Sequence, residues 1–262
     1  MAAYSLNHSL RLLLVAALIS GCTMQIQQNV KPDSIQLISP SQVQVGGELN
    51  TRLMKNFDRL EEEIYQPENV YMTEEASNWW PGDKEGRTIL ALTKLARATG
   101  RTPKYLDAIL KMFPAKVNEK GYFGTIYPVG VLDEQQLSSH GWVLRGLCEY
   151  YLWKKDPVVL GYINKIVDNL VLPTKGYHKN YLIDPAKRTH GGHESGSRIT
   201  KKAGNWILST DTGCDFIFMD GVVQAYQVTK RKKLKPVIDE MVEVFRKTDL
   251  VQIKAQTHAS LT

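Results

Sequence analysis

The stretch Asn205–Tyr226 constrains this chain more than any other. From Thr212 onward it has the length and composition of a helix, yet it lacks the polar stripe of a surface helix. Phe216, Ile217, Phe218, Met219, Val222, Val223, Ala225 and Tyr226 cover most of its circumference. A helix apolar nearly all round must be enclosed by other elements. It nevertheless carries Asp211, Asp215 and Asp220, and a buried carboxylate is costly unless paired, hydrogen-bonded or used. On a continuous helix Asp211 and Asp215 would share one face, with Asp220 roughly opposite. An inner helix whose polar end faces a cavity is the expectation. Thr212 and Asp215 also fit a capping box, a purely local task for that carboxylate.

The rest of the chain repeats the same unit. Gly46 to about Gln66 reads as a helix, with Leu49, Leu53, Phe57, Leu60 and Ile64 at helical spacing. A second helix runs from about Lys84 to Thr99 and stops at Gly100. Thr102-Pro103 then opens a third as cap and first residue, and Pro114 ends its pattern. Asp133 and Gln136 cap a long apolar helix reaching about Trp153. The turn Lys154-Lys155 leads to Asp156-Pro157 and an amphipathic helix, and the turn 230–235 leads to another opened by Pro236. All-round apolar helices alternating with one-sided ones, at intervals of about fifty residues, read as an array of helical hairpins. A Gly-rich insertion from Tyr177 to about Ser209 is expected as a long loop over one end. Lys254–Thr262 starts to look like a further inner helix without a stop signal, which makes this the expected front portion of a longer protein.

Composition adds little except at the start. The 262 residues are 43% hydrophobic and 23% charged, with net charge +6, as in ordinary globular chains. The basic run 230–235 reads as a solvated turn and not as a nucleic-acid site. Arg11 precedes the apolar run Leu12–Ile19, which is too short to span a bilayer and suits a signal peptide. The Ile19-Ser20-Gly21-Cys22 run resembles the lipobox of bacterial lipoproteins. That resemblance implies a signal peptide at 1–21, lipidation of Cys22 and a membrane anchor on the cell envelope, the outer membrane being the expected address. Residues 22–45 suit a flexible tether, which leaves 46–262 as the domain. Cys148 and Cys214 fall in apolar helices, where free cysteine behaves as a small hydrophobe, and nothing argues for a disulfide.

Loops leading into the inner helices gather at one end of such an array and are the candidates for a site. The first holds Trp79, Trp80, Asp83, Glu85 and Arg87, indoles beside carboxylates and a guanidinium, which suits sugar. The second brings Glu134, His140, Trp142 and Arg145, and the third Asp211 and Asp215. His190, His193 and Glu194 invite a zinc reading, but their glycine-rich setting favours a solvated loop. No metal and no other cofactor is expected.

These residues carry a resemblance. Trp80-x-Gly82-Asp83-x-Glu85-Gly86-Arg87, Gly121-Tyr122-Phe123-Gly124, His140-Gly141-Trp142-Val143-Leu144-Arg145-Gly146-Leu147 and Trp206–Cys214 resemble bacterial six-hairpin glycosidases of the beta-L-arabinofuranosidase-like family. The likeness covers about Val45 to Thr262. It implies an all-α domain, an incomplete (α/α)6 toroid of helical hairpins after the signal peptide and tether. The cysteine nucleophile and zinc ligands of that family's best-studied members have no counterpart here, so neither is carried over. The resulting expectation is a glycoside hydrolase-like envelope lipoprotein acting on plant or host glycans. In the two-carboxylate scheme Asp83 or Glu85 faces Asp211 or Asp215 as acid, base or nucleophile. Trp79, Trp80, Arg87, His140, Trp142 and Arg145 bind substrate. The alternatives are a polysaccharide lyase, in which Arg87 and Arg145 neutralise a uronate, and a non-catalytic glycan-binding lipoprotein.

Overall fold

The computed structural model describes residue 38 and residues 42–71, 80–184, 188, 198–209 and 211–249, with the backbone alone for 198–202. The signal peptide, Cys22, Trp79, the loop 189–194 and the segment 254–262 lie outside the described residues. The chain divides after Ser39, and everything below concerns the unit that starts at Pro40.

Eight α-helices carry the architecture among the described residues. They are α1 (Gly47–Arg59), α2 (Pro67–Val70), α3 (Asp83–Thr99), α4 (Leu106–Lys116), α5 (Glu134–Lys154), α6 (Pro157–Ile166), α7 (Cys214–Thr229) and α8 (Lys235–Arg246). The mostly helical class agrees with expectation. The exception is a small sheet in which β1 (Leu132–Asp133) pairs parallel with β3 (Trp206–Ser209), and β3 pairs antiparallel with β2 (Arg198–Ala203). The insertion is therefore partly a hairpin. Its turn is Gly204-Asn205, with Gly204 at φ +61, a conformation glycine adopts without strain.

The centre is α5, which stands between α3 and α7. Glycine permits both approaches. A Cβ on Gly86 would lie 2.3 Å from the Val143 nitrogen, and one on Gly141 would lie 2.3 Å from the Ile217 oxygen. Contacts progress in step along the three helices. Gly86 meets Trp142 and Val143, Leu90 meets Gly146, and Arg97 meets Glu149. On the other side Ile217 meets Gly141, Asp220 meets Arg145, and Gln224 meets Glu149. The three helices therefore run parallel, and each is followed by a helix that packs back on it: α4 on α3, α6 on α5 and α8 on α7. Ile89, Leu92, Leu144, Leu147, Ile163, Phe218, Val222 and Met241 form the fully or nearly fully enclosed core of these hairpins.

Several caps stand where the sequence places them. Asp133 accepts the Gln136 N–H at the start of α5, Asp156 accepts the Val158 N–H before Pro157, and Gly100 closes α3 at φ +71. Four details differ. The first helix stops at Arg59, where the chain turns so that Glu61 can take both Arg101 and the Lys104 N–H. That same corner delays α4 to Leu106, leaving Thr102-Pro103 outside it. Pro114 lies inside α4, which runs two residues further before it ends at Lys116. Finally, α7 opens on Gly213 with no side-chain cap, and Asp215 is turned to another use.

Candidate functional site

On the helical wheel of α5, Val143 and Gly146 face α3 and Gly141 faces α7. Trp142, Arg145 and Glu149 fall in the sector between the two contacts. They line a polar lane together with Asp83, Arg87, Lys94 and Arg97 of α3, and with Asp220 and Gln224 of α7. Three ties cross or follow it. Arg87 meets Asp83 at 2.8 Å, and Arg145 meets Asp220 at 2.9 Å. Glu149 receives Lys94, Arg97 and Gln224 at 3.2, 2.6 and 2.9 Å, joining all three inner helices through one carboxylate.

Trp142 is the focus of the lane. The Arg87 and Arg145 guanidinium carbons lie 4.2 and 4.9 Å from its ring centroid. The indole is half-buried, as are Asp83, Arg87, Arg145 and Asp220. Four of the predicted site residues (Asp83, Arg87, Trp142 and Arg145) thus come together. Asp220 and Glu149 complete the group, and the sequence reading gave neither a place in the site. Trp80 is half-buried in the turn before α3, its carbonyl accepting the Asp83 N–H.

Three expected site residues have other employment. Glu85 is buried, and its carboxylate accepts the Gly82 N–H at 3.0 Å, satisfying a free donor at the start of α3. His140 is completely buried, with Nδ1 2.7 Å from the Gln136 carbonyl and Nε2 accepting the Phe123 N–H at 3.0 Å. Burial lowers its pKa to about 4, so it is a neutral strut holding the Tyr122–Phe123 turn. Asp215 is also completely buried, and its oxygens lie 3.1 and 2.9 Å from His178 Nδ1. Asp211 precedes α7 in a turn and does not share a helix face with Asp215. Asp83 and Glu85 stand at the start of α3, and Asp211 and Asp215 at the start of α7, with α5 between the two helices.

A second polar group lies at the leading ends of α5 and α7, and it is enclosed. Glu134, with no exposed surface, accepts Arg188 Nη2 at 2.6 Å, the Ser209 N–H at 2.8 Å and the Tyr181 hydroxyl. Tyr181 accepts the Gly213 N–H at 3.0 Å, which links the start of α5 to the start of α7. Arg188 also donates to the carbonyls of Leu182 and Ser209. Beside it, His178 Nε2 lies 2.7 Å from the Thr174 hydroxyl. Burial raises the Glu134 carboxyl above its ordinary value, against the opposing charge of Arg188. This network fastens the crossing segment to the helix ends. Only Glu134 had a sequence signal, as an acid in a first helical turn.

No family model, curated protein or solved structure matches the chain. Among the described residues no group of three or more His, Cys, Asp and Glu is placed to hold a metal, and no helix is long and apolar enough to cross a membrane. Cys148 and Cys214 are buried and free, as their apolar settings suggest.

Proposed function

We propose that the polar lane on α3, α5 and α7 is the sugar-binding surface of a glycoside hydrolase-like envelope lipoprotein, with its hairpins forming part of an (α/α) toroid. The observation that carries this reading is the convergence of Arg87, Arg145, Asp83 and Asp220 around the Trp142 indole on a half-open surface. Fork-shaped donors and carboxylates beside an aromatic ring suit a polyhydroxylated ligand. Parallel inner helices, each backed by its own outer helix, support the toroid.

Two features bear on the choice of reading. Glu85 and Asp215 are held in structural bonds and Glu149 is taken up by Lys94, Arg97 and Gln224, which leaves Asp83 and Asp220 as the lane carboxylates nearest Trp142. Two guanidinium groups close to one ring also suit an anionic sugar, so the lyase reading remains the second proposal. Binding to neutral and uronate-containing oligosaccharides, with product analysis, tests all three. Hydrolysis that is lost in Asp83→Asn supports the glycosidase. An unsaturated product supports the lyase, and saturable binding without turnover leaves a glycan-binding protein. Arg145→Met should weaken binding by about tenfold, as expected for one charge-assisted contact worth about 1.5 kcal/mol. Failure of every glycan to bind the native protein would remove the proposal.

Lipidation at Cys22 is proposed on the apolar run and its following Ser-Gly-Cys. Expressed with its own leader in a Gram-negative host, the protein should incorporate labelled palmitate, and Cys22→Ala should not. Equal labelling of the two would sink the idea.

A further inference from the structure

Two residues other than glycine adopt positive φ among the described residues, and both are lysines at the same place in successive hairpins. Lys155 closes α5 and Lys230 closes α7, each at φ +55, and each donates its N–H at 2.8 Å to the carbonyl four residues back. The left-handed conformation costs a side-chain-bearing residue on the order of 1 kcal/mol or more, and glycine avoids it. At the corresponding corner of the first hairpin the chain uses Gly100. Attraction to the helix dipole does not account for the choice, because a cation anywhere in the last turn obtains it, and Lys154 already does so in α5.

The two lysines stand at the same level along their parallel helices. Gln224 bonds Glu149 at 2.9 Å, and each partner lies six positions before its lysine (155 − 149 and 230 − 224). Around them Lys154, Lys232 and Lys233 are exposed, and among the described residues none of these five lysines has a carboxylate within ion-pair distance. Arg231 and Lys235, by contrast, are paired with Asp168 and Asp239. The one acid in the two turns is Asp156, which caps α6. Interleaved with the charge is apolar surface. Lys154 lies over Trp153 and Lys155 over Tyr151, while Leu152 and Val158 are 42% and 57% exposed.

From this geometry we propose that the C-terminal end of α5 and α7 is a docking surface for anionic phospholipid headgroups. Five unneutralised lysines supply charge complementarity, and each basic residue near such a surface contributes about 1 kcal/mol. Trp153 and Tyr151 suit the headgroup level, and Leu152 and Val158 can enter the acyl boundary, a use that a nucleic acid would not offer. The surface is independent of any acyl anchor. Because the helices are parallel, a membrane at this end leaves the leading ends, with Asp83, on the side away from the lipid.

Co-sedimentation with vesicles tests this, using the full chain carrying Cys22→Ala so that no acyl chain contributes. Vesicles of phosphatidylcholine alone are compared with vesicles also containing phosphatidylglycerol, and duplex DNA is the third arm. The expected result is binding that requires phosphatidylglycerol and falls with added salt. The double variant Lys155→Gly with Lys230→Gly should bind about 25-fold more weakly, two charges at about fivefold each. Its melting temperature should equal or exceed that of the parent, since glycine relieves both left-handed corners, so lost binding cannot be blamed on lost folding. Unchanged binding by that variant, equal binding to the two vesicle types, or binding to DNA without binding to vesicles would each overturn the proposal.

Discussion

Replacing Arg188 by methionine is expected to remove about 3–5 kcal/mol of stability near neutral pH, the usual cost of leaving one member of a buried pair uncompensated. Arg188 and Glu134 have no exposed side-chain surface, and their contact is 2.6 Å. Methionine keeps the apolar bulk but strands the carboxylate in an enclosed site. The penalty should depend on pH in a definite direction. Burial already holds the folded-state carboxyl above its ordinary 4.5, so the folded protein binds more protons than the unfolded chain above that value. Its contribution is complete below about pH 4.5 and is lost as pH rises through the folded-state value. Without Arg188 the folded value rises further. The deficit of Arg188→Met should therefore be small in acid and largest at about pH 7.5. Urea unfolding at both pH values measures it. Glu134→Gln combined with Arg188→Met should recover part of the loss, because no charge is then stranded. A deficit independent of pH would show that packing, and not the ion pair, sets the cost.

The second large effect is expected at the crossing of α5 and α7. Alanine at Gly141 would put its Cβ 2.3 Å from the Ile217 oxygen, and Gly221 in turn approaches the Gly141 oxygen at 2.4 Å from its own would-be Cβ. Neither obstacle is a flexible side chain, so the helices must part. Overpacking of this kind costs about 1–3 kcal/mol or more, against about 1 kcal/mol returned by the better helix propensity of alanine. Gly141→Ala should thus lower the melting temperature by several degrees or prevent folding. Gly161, inside α6, has nothing within 4 Å of its would-be Cβ. There the same substitution should raise stability by about 0.5–1 kcal/mol. Opposite signs for one chemical change would identify close helix approach as the cause. Equal signs would remove it.

These glycines also show what was legible in the sequence. Hairpin periodicity and the caps Asp133, Asp156 and Gly100 are local signals, and they placed α3, α5, α6, α7 and α8 within a few residues. Corners set by distant partners were not legible. Nothing near Thr102 reveals that Glu61 waits to bind the Lys104 N–H. The Gly204-Asn205 turn before Trp206-Ile207-Leu208 was a readable hairpin signal that helical expectation obscured.

The candidate site divides in the same way. Residue type found Asp83, Arg87, Trp142 and Arg145, whose side chains meet on the lane. It also singled out Glu85, His140 and Asp215, which are enclosed, because the same chemistry that binds a sugar also satisfies buried polar groups. For those three the deciding fact is burial, which a lone polar residue does not announce. Asp220 was noticed on its helix, but its partner Arg145 lies on another inner helix, so its role needed the three-dimensional pairing.

Sugar bound on the lane around Trp142 should be reported most directly by the indole resonances of nitrogen-labelled protein. Titration with the tightest-binding oligosaccharide should shift the Trp142 indole signal saturably, assigned through Trp142→Phe, with Arg145→Met weakening the same titration. The Trp206 indole, enclosed between His178 and Tyr181, should stay still. Saturable binding that leaves the Trp142 signal unmoved would place the ligand elsewhere on the molecule and rule out the lane.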